Sequence, residues 1–398
     1  MSERQSAGWP HLREVATVFL KLGAMSYGGP AIMGIMQAEI QAKRNWVSRE
    51  RFVEGLALVN MLPGPLATQL SIFLGHNRVG WMGGVLAGIC FILPAFFVML
   101  ALTLGYARYG AVPAVRGVFY GLSPVVVGIF GMAVFRLGRS AVKDVKQAMI
   151  AVCSALAMGL TPLGIVPGML LAGAVGVALY GSRTWGIAAA VASASLFSAR
   201  FWGGQWLVVP GLSWLVFDRG MSSSTPGPWE LGMFFLKVGA FTFGGGLAML
   251  AFVQDQVVNQ LHWLSPQEFL DGLALGQITP GPIVMLAAFV GYRVAGVCGA
   301  VVSGVAIFLP SFLLVLSMVP LLDRVRRVGW MSAALKGISP AVIGMIAVAL
   351  LEMLPHAVPD LHTGLMAVAT VVAMIAWRLG PLSLMTAGGA VGVALRVR

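Results

Sequence analysis

The sequence predicts an all-α polytopic membrane protein, built from two tandem repeats of inverted topology with broken or re-entrant helices. Three observations lead to this fold class. Of the 398 residues, 58% are apolar and only 10% are charged, whereas an ordinary soluble domain carries roughly 25% charged residues. The chain also repeats itself, and glycine and proline interrupt its apolar runs at equivalent places in both copies. Since a helical crossing needs about 20 apolar residues, a lipid bilayer is the surrounding that this composition demands.

The repeat is found by sliding the sequence along itself until Phe19 falls on Phe235. Four colinear segments then match, which chance does not produce, so the chain is interpreted as a tandem duplication. We place the first repeat at residues 1–200, a connecting segment at 201–229 and the second repeat at 230–398. The matching segments are 19–29 with 235–245, 54–65 with 271–282, 93–94 with 309–310, and 121–128 with 337–344.

The relative orientation of the repeats follows from their positive charges, because Lys and Arg in short loops stay on the cytoplasmic side of a membrane. The stretch 43–51 of the first repeat contains four Lys or Arg residues, and the matching stretch 254–271 contains none. Further along the bias reverses, with Arg108 alone set against three arginines in 324–327. The repeats are therefore predicted to be inserted upside down relative to each other.

Such an inversion needs an odd number of crossings before the second repeat begins. This requirement is met if the interrupted stretches 15–42 and 52–75 dip into the membrane and return as hairpins. A rival count, in which each interrupted stretch is one kinked crossing, stays open. The five predicted crossings are 81–104, 114–135, 147–160, 163–180 and a stretch from 184 towards 217.

The interruptions themselves are the predicted substrate site. The segments Gly28-Gly29-Pro30 and Pro63-Gly64-Pro65 recur as 244–246 and 280–282. A helix broken inside a membrane exposes N–H groups that must face protein, water or substrate, and at the positive end of a helix dipole such groups can bind an oxyanion. Paired breaks in the two halves are the best pointer to a transporter's binding site, although a kink made for helix packing would recur in the same way.

Polar side chains beside the interruptions complete the candidate site. Lys21 and Lys237 would attract an anion, unless they snorkel to the interface. Glu54 and Asp271 are candidates for proton coupling, with an interfacial charge at a helix start as the alternative. The candidate substrate-binding residues are Lys21, Ser26, Gly28, Gly29, Asn60, Pro63, Gly64, Pro65, Gln69, Lys237, Thr242, Gly244, Gly245, Gln277, Pro280, Gly281 and Pro282.

The sequence also speaks against several other functions. It has no Gly-x-x-x-x-Gly-Lys-Ser/Thr motif for ATP and no His-x-x-x-His or Cys/His set for a metal. It lacks the basic stripe interleaved with aromatic residues that marks nucleic-acid binders. No catalytic residue, metal or cofactor is therefore predicted, and an intramembrane enzyme is the weakest hypothesis. Assembly into a homodimer stays open.

The order of the motifs, duplicated along the chain, resembles the chromate ion transporter (CHR) family. The second copy departs from the family pattern because Gly244-Gly245-Gly246 lacks the proline, and Met33 stands where family sequences often have histidine. The residues that carry the resemblance are Gly28-Gly-Pro30, Trp46-Val-Ser48, Leu62-Pro-Gly-Pro65 with Gln69, Gly75, Leu93-Pro94 and Gly121-Leu-Ser-Pro124.

The resemblance implies a multi-pass protein of the bacterial inner membrane that exports chromate and confers chromate resistance. The membrane potential would drive the export of this dianion, with proton antiport as an open alternative. Transport of sulfate or a related oxyanion on the same scaffold is a second alternative, because sulfate has the same shape and charge.

Overall fold

The computed structural model describes residues 9–26, 31–161, 165–181, 226–243, 246–321 and 329–396. Within these ranges the chain is helical apart from short connections and contains no strand, which confirms the all-α prediction. The first repeat contains α1 (Trp9–Ala24), α2 (Ala31–Met36), a π-helical stretch (Gln37–Lys43), α3 (Arg49–Met61), α4 (Leu66–Tyr109), α5 (Pro113–Ala141), α6 (Val145–Leu160) and α7 (Ile165–Tyr180). The second repeat contains α8 (Pro228–Ala240), α9 (Gly246–Gln254), a π-helical stretch (Asp255–Gln260), α10 (Pro266–Ile278), a 3-10 turn (Ile283–Met285), α11 (Leu286–Met318), a 3-10 turn (Val319–Leu321), α12 (Gly329–Ala357), α13 (Leu361–Ala376) and α14 (Pro381–Arg396).

Several helices begin at short polar side chains, which accept hydrogen bonds from N–H groups of the first turn. The hydroxyl oxygen of Ser48 accepts from the backbone N–H of Arg51 at 3.1 Å at the start of α3. Ser265 begins α10 in the same way and forms a capping box with Glu268. The equivalent positions of the two repeats are therefore capped alike, as their sequences predict.

Among the residues that the structure describes, four helical segments are long and apolar enough to cross a membrane, judged by length and composition: α4, α5, Ile283–Met318 and Trp330–Ala357. The helices α6, α7, α13 and α14 have 16 residues each. A helix of that length measures about 24 Å, which is shorter than the hydrocarbon core of about 30 Å. α6 and α7 coincide with the stretches 147–160 and 163–180 of the predicted crossings. The predicted crossing from 184 towards 217 lies outside the described residues.

The chain reverses its direction within α4, at Val79 and Gly80. Gly80 has φ +73°, a left-handed conformation that glycine adopts without strain. A Cβ atom on Gly75 would lie within 3.0 Å of the carbonyl oxygen of Gly83, although residues this far apart in a straight helix are separated by about 12 Å. The segment before Val79 is thus a half-helix, and the predicted crossing 81–104 begins after the reversal. The second repeat reverses in the same way at Gly296, with φ +62°.

Each Pro-Gly-Pro segment lies at the tip of a helical hairpin. Arg51 donates to the side chain of Asn77 at 2.9 Å, and a Cβ atom on Gly55 would meet the ring of Phe73. Arg51 contacts Asn77, and Gly55, four residues further along α3, contacts Phe73, four residues earlier in α4. α3 and the first part of α4 therefore run antiparallel. The second repeat repeats this pattern between α10 and the start of α11, where Glu268 and Arg293 form an ion pair. A single kinked span, the rival interpretation, does not fit these contacts.

The first interrupted stretch of each repeat also folds back on itself. Glu14 of α1 forms an ion pair with Arg44, just beyond the π-helical stretch that extends α2, at 3.1 Å. In the second repeat the rings of Phe234 in α8 and Phe252 in α9 lie 6.3 Å apart. The predicted break residues of these two hairpins, Gly28, Gly29, Gly244 and Gly245, lie outside the described residues.

The two repeats are interlocked through equivalent helices that run antiparallel. Gly84 packs against Leu316, Gly88 against Phe312, and Gly304 against Phe96, so the second parts of α4 and α11 pass each other in opposite directions. α5 also packs against α14, and α12 against α7. Antiparallel equivalent helices are what an inverted repeat requires; the opposite insertion of the repeats in the membrane stays a prediction.

Candidate substrate site

The hairpin tips of the two repeats meet through two hydrogen bonds. The backbone N–H of Gly64 donates to the carbonyl oxygen of Thr242 at 2.6 Å, and the N–H of Gly281 donates to the carbonyl oxygen of Ser26 at 2.6 Å. Gly64 and Gly281 are equivalent positions, as are Ser26 and Thr242, so each bond is the copy of the other. We call these four residues the tip cluster. It lies between the repeats and joins the Pro-Gly-Pro break of each repeat to the residue two positions before the glycine break of the other.

Glycine is required at the two Pro-Gly-Pro tips. Gly64 has φ +130° and Gly281 has φ +122°, values that other residues rarely adopt. There is also no room for a side chain. A Cβ atom on Gly64 would lie within 3.0 Å of Ser311 and Gln69, and one on Gly281 within 3.0 Å of Ala95. The glycines therefore allow the backbones of the two repeats to come into direct contact.

The tip amides differ from the expectation that a broken helix leaves N–H groups open to a ligand. Both Gly64 and Gly281 already donate to carbonyl oxygens of the opposite repeat. These carbonyls follow the last turns of α1 and α8, where helices have no partner for them along their own chain. In this conformation each repeat provides the carbonyl acceptor for the tip N–H group of the other. An anion could accept hydrogen bonds from these amides only after the tips separate.

The two predicted lysines lie in different surroundings. Lys237 is buried, with 8% of its surface exposed, whereas Lys21 is exposed on α1. Lys237 lies in the last turn of α8, five residues before Thr242. A buried cation fits an anionic ligand better than an exposed one, whose position is also the one expected for snorkelling.

The predicted amide side chains also separate into buried and exposed. Gln69 is fully buried; its Nε2 donates to the carbonyl oxygen of Pro63 at 2.5 Å and lies 3.5 Å from the hydroxyl of Ser311. Its Oε1 atom has no hydrogen-bond partner among the described residues. Asn60 is exposed and donates to the carbonyl of Leu56 in its own helix, and Gln277, its equivalent, is half-buried. Gln69 is thus the amide that the structure places at the tips.

Several polar residues lie around Gln69 that the match between the two repeats did not reveal. Thr68 and Ser71 are buried on the same half-helix, and Ser311 faces it from α11. The matching positions of the second repeat, Val284–Ala287, are apolar, and the equivalent of Ser311 is Ala95. A search for matching residues passes over them for this reason. Their signal in the sequence is the run Thr68-Gln69-Leu70-Ser71 directly after Pro-Gly-Pro.

The two candidate acids are not equivalent in the fold. Glu54 is half-buried and forms an ion pair with Arg51 at 3.0 Å. Asp271 is buried, with 6% of its surface exposed, and its oxygens accept from the Tyr106 hydroxyl at 2.8 Å and the Gln267 amide at 3.0 Å. Neutral donors therefore surround Asp271, whereas a cation neutralises Glu54.

The described residues contain no group of three or more His, Cys, Asp or Glu side chains that could hold a metal ion. The polar groups of the tip cluster and of the residues that contact it are amides and hydroxyls. Groups of this kind donate hydrogen bonds to oxygen atoms of an anion.

Long apolar helices around a contact between interrupted hairpins define a membrane protein with the architecture of a secondary transporter. The chain belongs to the family described as Chromate transporter, which matches it in two segments, residues 13–180 and 229–393. This confirms the resemblance that the motifs carry.

Several relatives span nearly the whole chain. A protein of Cupriavidus metallidurans named chromate transport protein is 32% identical over 95% of this chain and 92% of its own length. A probable chromate transport protein of Synechococcus elongatus is 32% identical over 93% of this chain and 91% of its own. A chromate transport protein of Pseudomonas aeruginosa is 32% identical over 90% of this chain and 86% of its own. No solved structure shows significant similarity to the chain.

Proposed function

We propose that this protein exports chromate across the bacterial inner membrane and thereby confers chromate resistance. The family and the relatives named as chromate transport proteins support the cargo. The single structural observation that supports a carrier mechanism is the pair of equivalent hydrogen bonds between Gly64 and Thr242 and between Gly281 and Ser26. A contact that exists in two symmetry-related copies can open on either side in turn, as alternating access requires.

In this mechanism the tip amides change partner during transport. Separation of one tip contact frees a backbone N–H of Gly64 or Gly281, and an oxyanion then replaces the carbonyl as its acceptor. A hydrogen bond to an ionised acceptor is roughly twice as strong as one between neutral groups, so the anion can compensate for the lost contact. Gln69 adds a side-chain amide at the same tip.

Lys237 supplies the positive charge of the proposed site. Burying a dianion without a compensating cation is costly, and Lys237 is the buried member of the predicted lysine pair. We therefore assign it a larger share of anion binding than Lys21.

The membrane potential can drive the proposed export. A dianion that leaves a cell with a negative interior gains about 2.3 kcal/mol per charge for each 100 mV, or about 4.6 kcal/mol in total. Proton antiport is the alternative form of coupling, and the burial of Asp271 among neutral hydrogen-bond donors supports it more than the ion-paired Glu54 does.

The test is chromate accumulation in everted membrane vesicles with an inside-positive potential. Lys237→Gln should abolish most of the accumulation, and Lys21→Gln should reduce it less. Lys43→Gln is the matched control, because Lys43 is an exposed cation that pairs with Glu39 away from the tips. Vesicles with abundant protein but no chromate flux above empty membranes would contradict the cargo. Sulfate accumulation under the same conditions would identify the alternative oxyanion.

A further inference from the structure

A polar cavity separate from the tip cluster opens where α4 ends and α5 begins. Its volume is about 370 Å³. The side chains that matter for its chemistry are Arg116, Tyr120, Ser123, Gln267, Asp271 and His356, and we call this site the outer cavity. Asp271 precedes Pro280 by nine residues, so the cavity lies about 13 Å along α10 from the hairpin tip.

The outer cavity is cationic at its rim and acidic at its floor. Arg116 and His356 are exposed, whereas Ser123 and Asp271 are buried. Arg116 forms no ion pair among the described residues, so its guanidinium is available to an anion. The Asp271 carboxylate is held on the floor by Tyr106 and Gln267.

Two further acids near the outer cavity already have partners. On α10, the helix that carries Asp271, Glu268 forms an ion pair with Arg293. At the start of α13, Asp360 accepts a hydrogen bond from the Tyr120 hydroxyl at 2.5 Å. His356 on α12 is the other titratable group that faces the cavity, along with the Tyr106 and Tyr120 hydroxyls. Arg116 and Asp271 are therefore the opposed charges that a small anion entering the cavity would meet.

The duplication does not reproduce this arrangement in the other repeat. Ser332 and Lys336 stand at the positions equivalent to Arg116 and Tyr120, and the equivalent of Asp271 is Glu54, which Arg51 neutralises. The outer cavity thus belongs to one end of the pseudo-symmetric fold. By the predicted orientation this is the non-cytoplasmic end, because the neighbouring stretch 254–271 has no Lys or Arg.

We propose that the outer cavity is an exit site for the exported oxyanion, with Arg116 as its ligand and Asp271 as the group that expels it. The inference rests on the proposed export function and names a second binding site on the same route. An oxyanion that leaves the tips pairs with Arg116, and the ionised Asp271 carboxylate repels it towards the outside. A protonated Asp271 lacks this charge, so the anion stays bound longer at low external pH.

Equilibrium binding of radiolabelled chromate to the purified full-length protein in lipid nanodiscs tests the exit site. The variants are Arg116→Gln and Asp271→Asn, where asparagine keeps an acceptor oxygen for Tyr106 and removes the charge. Arg108→Gln is the matched control, because Arg108 is an exposed cation near the same opening that does not line the cavity.

For the wild type we expect affinity at the exit site to fall by about tenfold between about pH 5.5 and about pH 8, which corresponds to about 1.4 kcal/mol. Asp271→Asn should bind with high affinity at both pH values, Arg116→Gln should lose this class of sites, and Arg108→Gln should behave as the wild type. A pH profile of Asp271→Asn identical to that of the wild type would overturn the proposal and point to His356. Unchanged binding in Arg116→Gln would overturn it as well.

The binding experiment separates the exit site from the proposed cargo and direction. If vesicles show no chromate flux but radiolabelled sulfate binds with the expected Arg116 and Asp271 dependence, the cargo is wrong and the exit site stands. If chromate is exported but both variants bind it as the wild type does, the exit site is wrong and the export function stands. Unfolding temperatures of the variants in nanodiscs show whether any loss of binding comes from loss of the fold.

Discussion

Replacing Gly64 by alanine is the sharpest test of the contact between the hairpin tips. The methyl group would lie within 3.0 Å of Ser311 and Gln69, and the backbone would have to keep φ at +130°. Either the tip keeps its conformation under strain, or it moves and gives up the hydrogen bond to Thr242. Both outcomes weaken the same contact.

The magnitude follows from these two terms. A non-glycine residue in such a backbone conformation costs about 1–3 kcal/mol, and a lost backbone hydrogen bond costs about 0.5–1.5 kcal/mol. Because the tip either keeps the strained conformation or gives up the hydrogen bond, the closed contact is destabilised by about 1–3 kcal/mol. Since 1.4 kcal/mol is a factor of ten, the balance between the closed and open tip shifts by about 5-fold to 150-fold.

Two measurements follow from Gly64→Ala. The unfolding temperature in nanodiscs should fall, and chromate accumulation in everted vesicles should be lost, because the carrier stays in one state. Gly281→Ala should act in the same way through its contact with Ser26. The matched controls are Gly34→Ala and Gly276→Ala, since neither position has an atom within 4 Å of an added Cβ atom. If Gly64→Ala unfolds and transports as these controls do, the tip contact has no role in stability or transport.

The remaining predictions concern the tip amide, the helix interface, a helix cap and the orientation. Gln69→Leu places an apolar residue where the second repeat has one; it removes an unpartnered buried Oε1 but also the hydrogen bond from Nε2 to the Pro63 carbonyl. These two effects of about 1 kcal/mol each oppose one another, so the unfolding temperature should change little, while chromate accumulation in everted vesicles falls. Gly121→Ala should lower the unfolding temperature because its Cβ atom would meet the backbone of Gly388, whereas Gly131→Ala makes only an ordinary contact and serves as the control. The Tyr120 hydroxyl and the Thr363 backbone N–H hold the pKa of Asp360 below its ordinary value of 3.8. The ionised carboxylate therefore stabilises the fold above that pH, and this contribution is lost as the pH falls through the lowered pKa. Asp360→Asn should lower the unfolding temperature equally at about pH 6 and about pH 8, because the carboxylate is ionised at both. Alkaline phosphatase fused after Gly110 should be active and after Lys143 inactive, and the opposite pattern would contradict the predicted orientation.

Much of the fold could be read from the sequence because it depends on local chemistry. Composition alone demands a bilayer, and the positions of the breaks follow from proline and glycine, which cannot continue a regular helix without cost. Ser48 and Ser265 begin α3 and α10 because a serine hydroxyl accepts from the first helical turn wherever that turn lies. The duplication is visible in the amino-acid sequence itself.

The reversals at Gly80 and Gly296 could not be read in the same way. Gly80 follows His76-Asn77-Arg78 and Gly296 follows Arg293, but a helical pattern does not change when the chain turns back on itself. The sequence predicted hairpins but left a single kinked crossing open. Contacts such as Arg51 with Asn77 decide for the hairpin, because they depend on how the two half-helices pack.

The candidate site shows the same division. The sequence by itself determined which residues lie at the interruptions. It named Lys21 with Lys237 and Glu54 with Asp271 as equivalent candidates, because matching residues carry no information about burial. Only the tertiary structure decided that Gly64 reaches Thr242, that Lys237 is buried, and that Asp271 lies among neutral donors and lines the same cavity as Arg116. The physical reason is that burial, pairing and charge compensation arise between segments far apart in the chain, where the two copies of a duplicated sequence meet different neighbours.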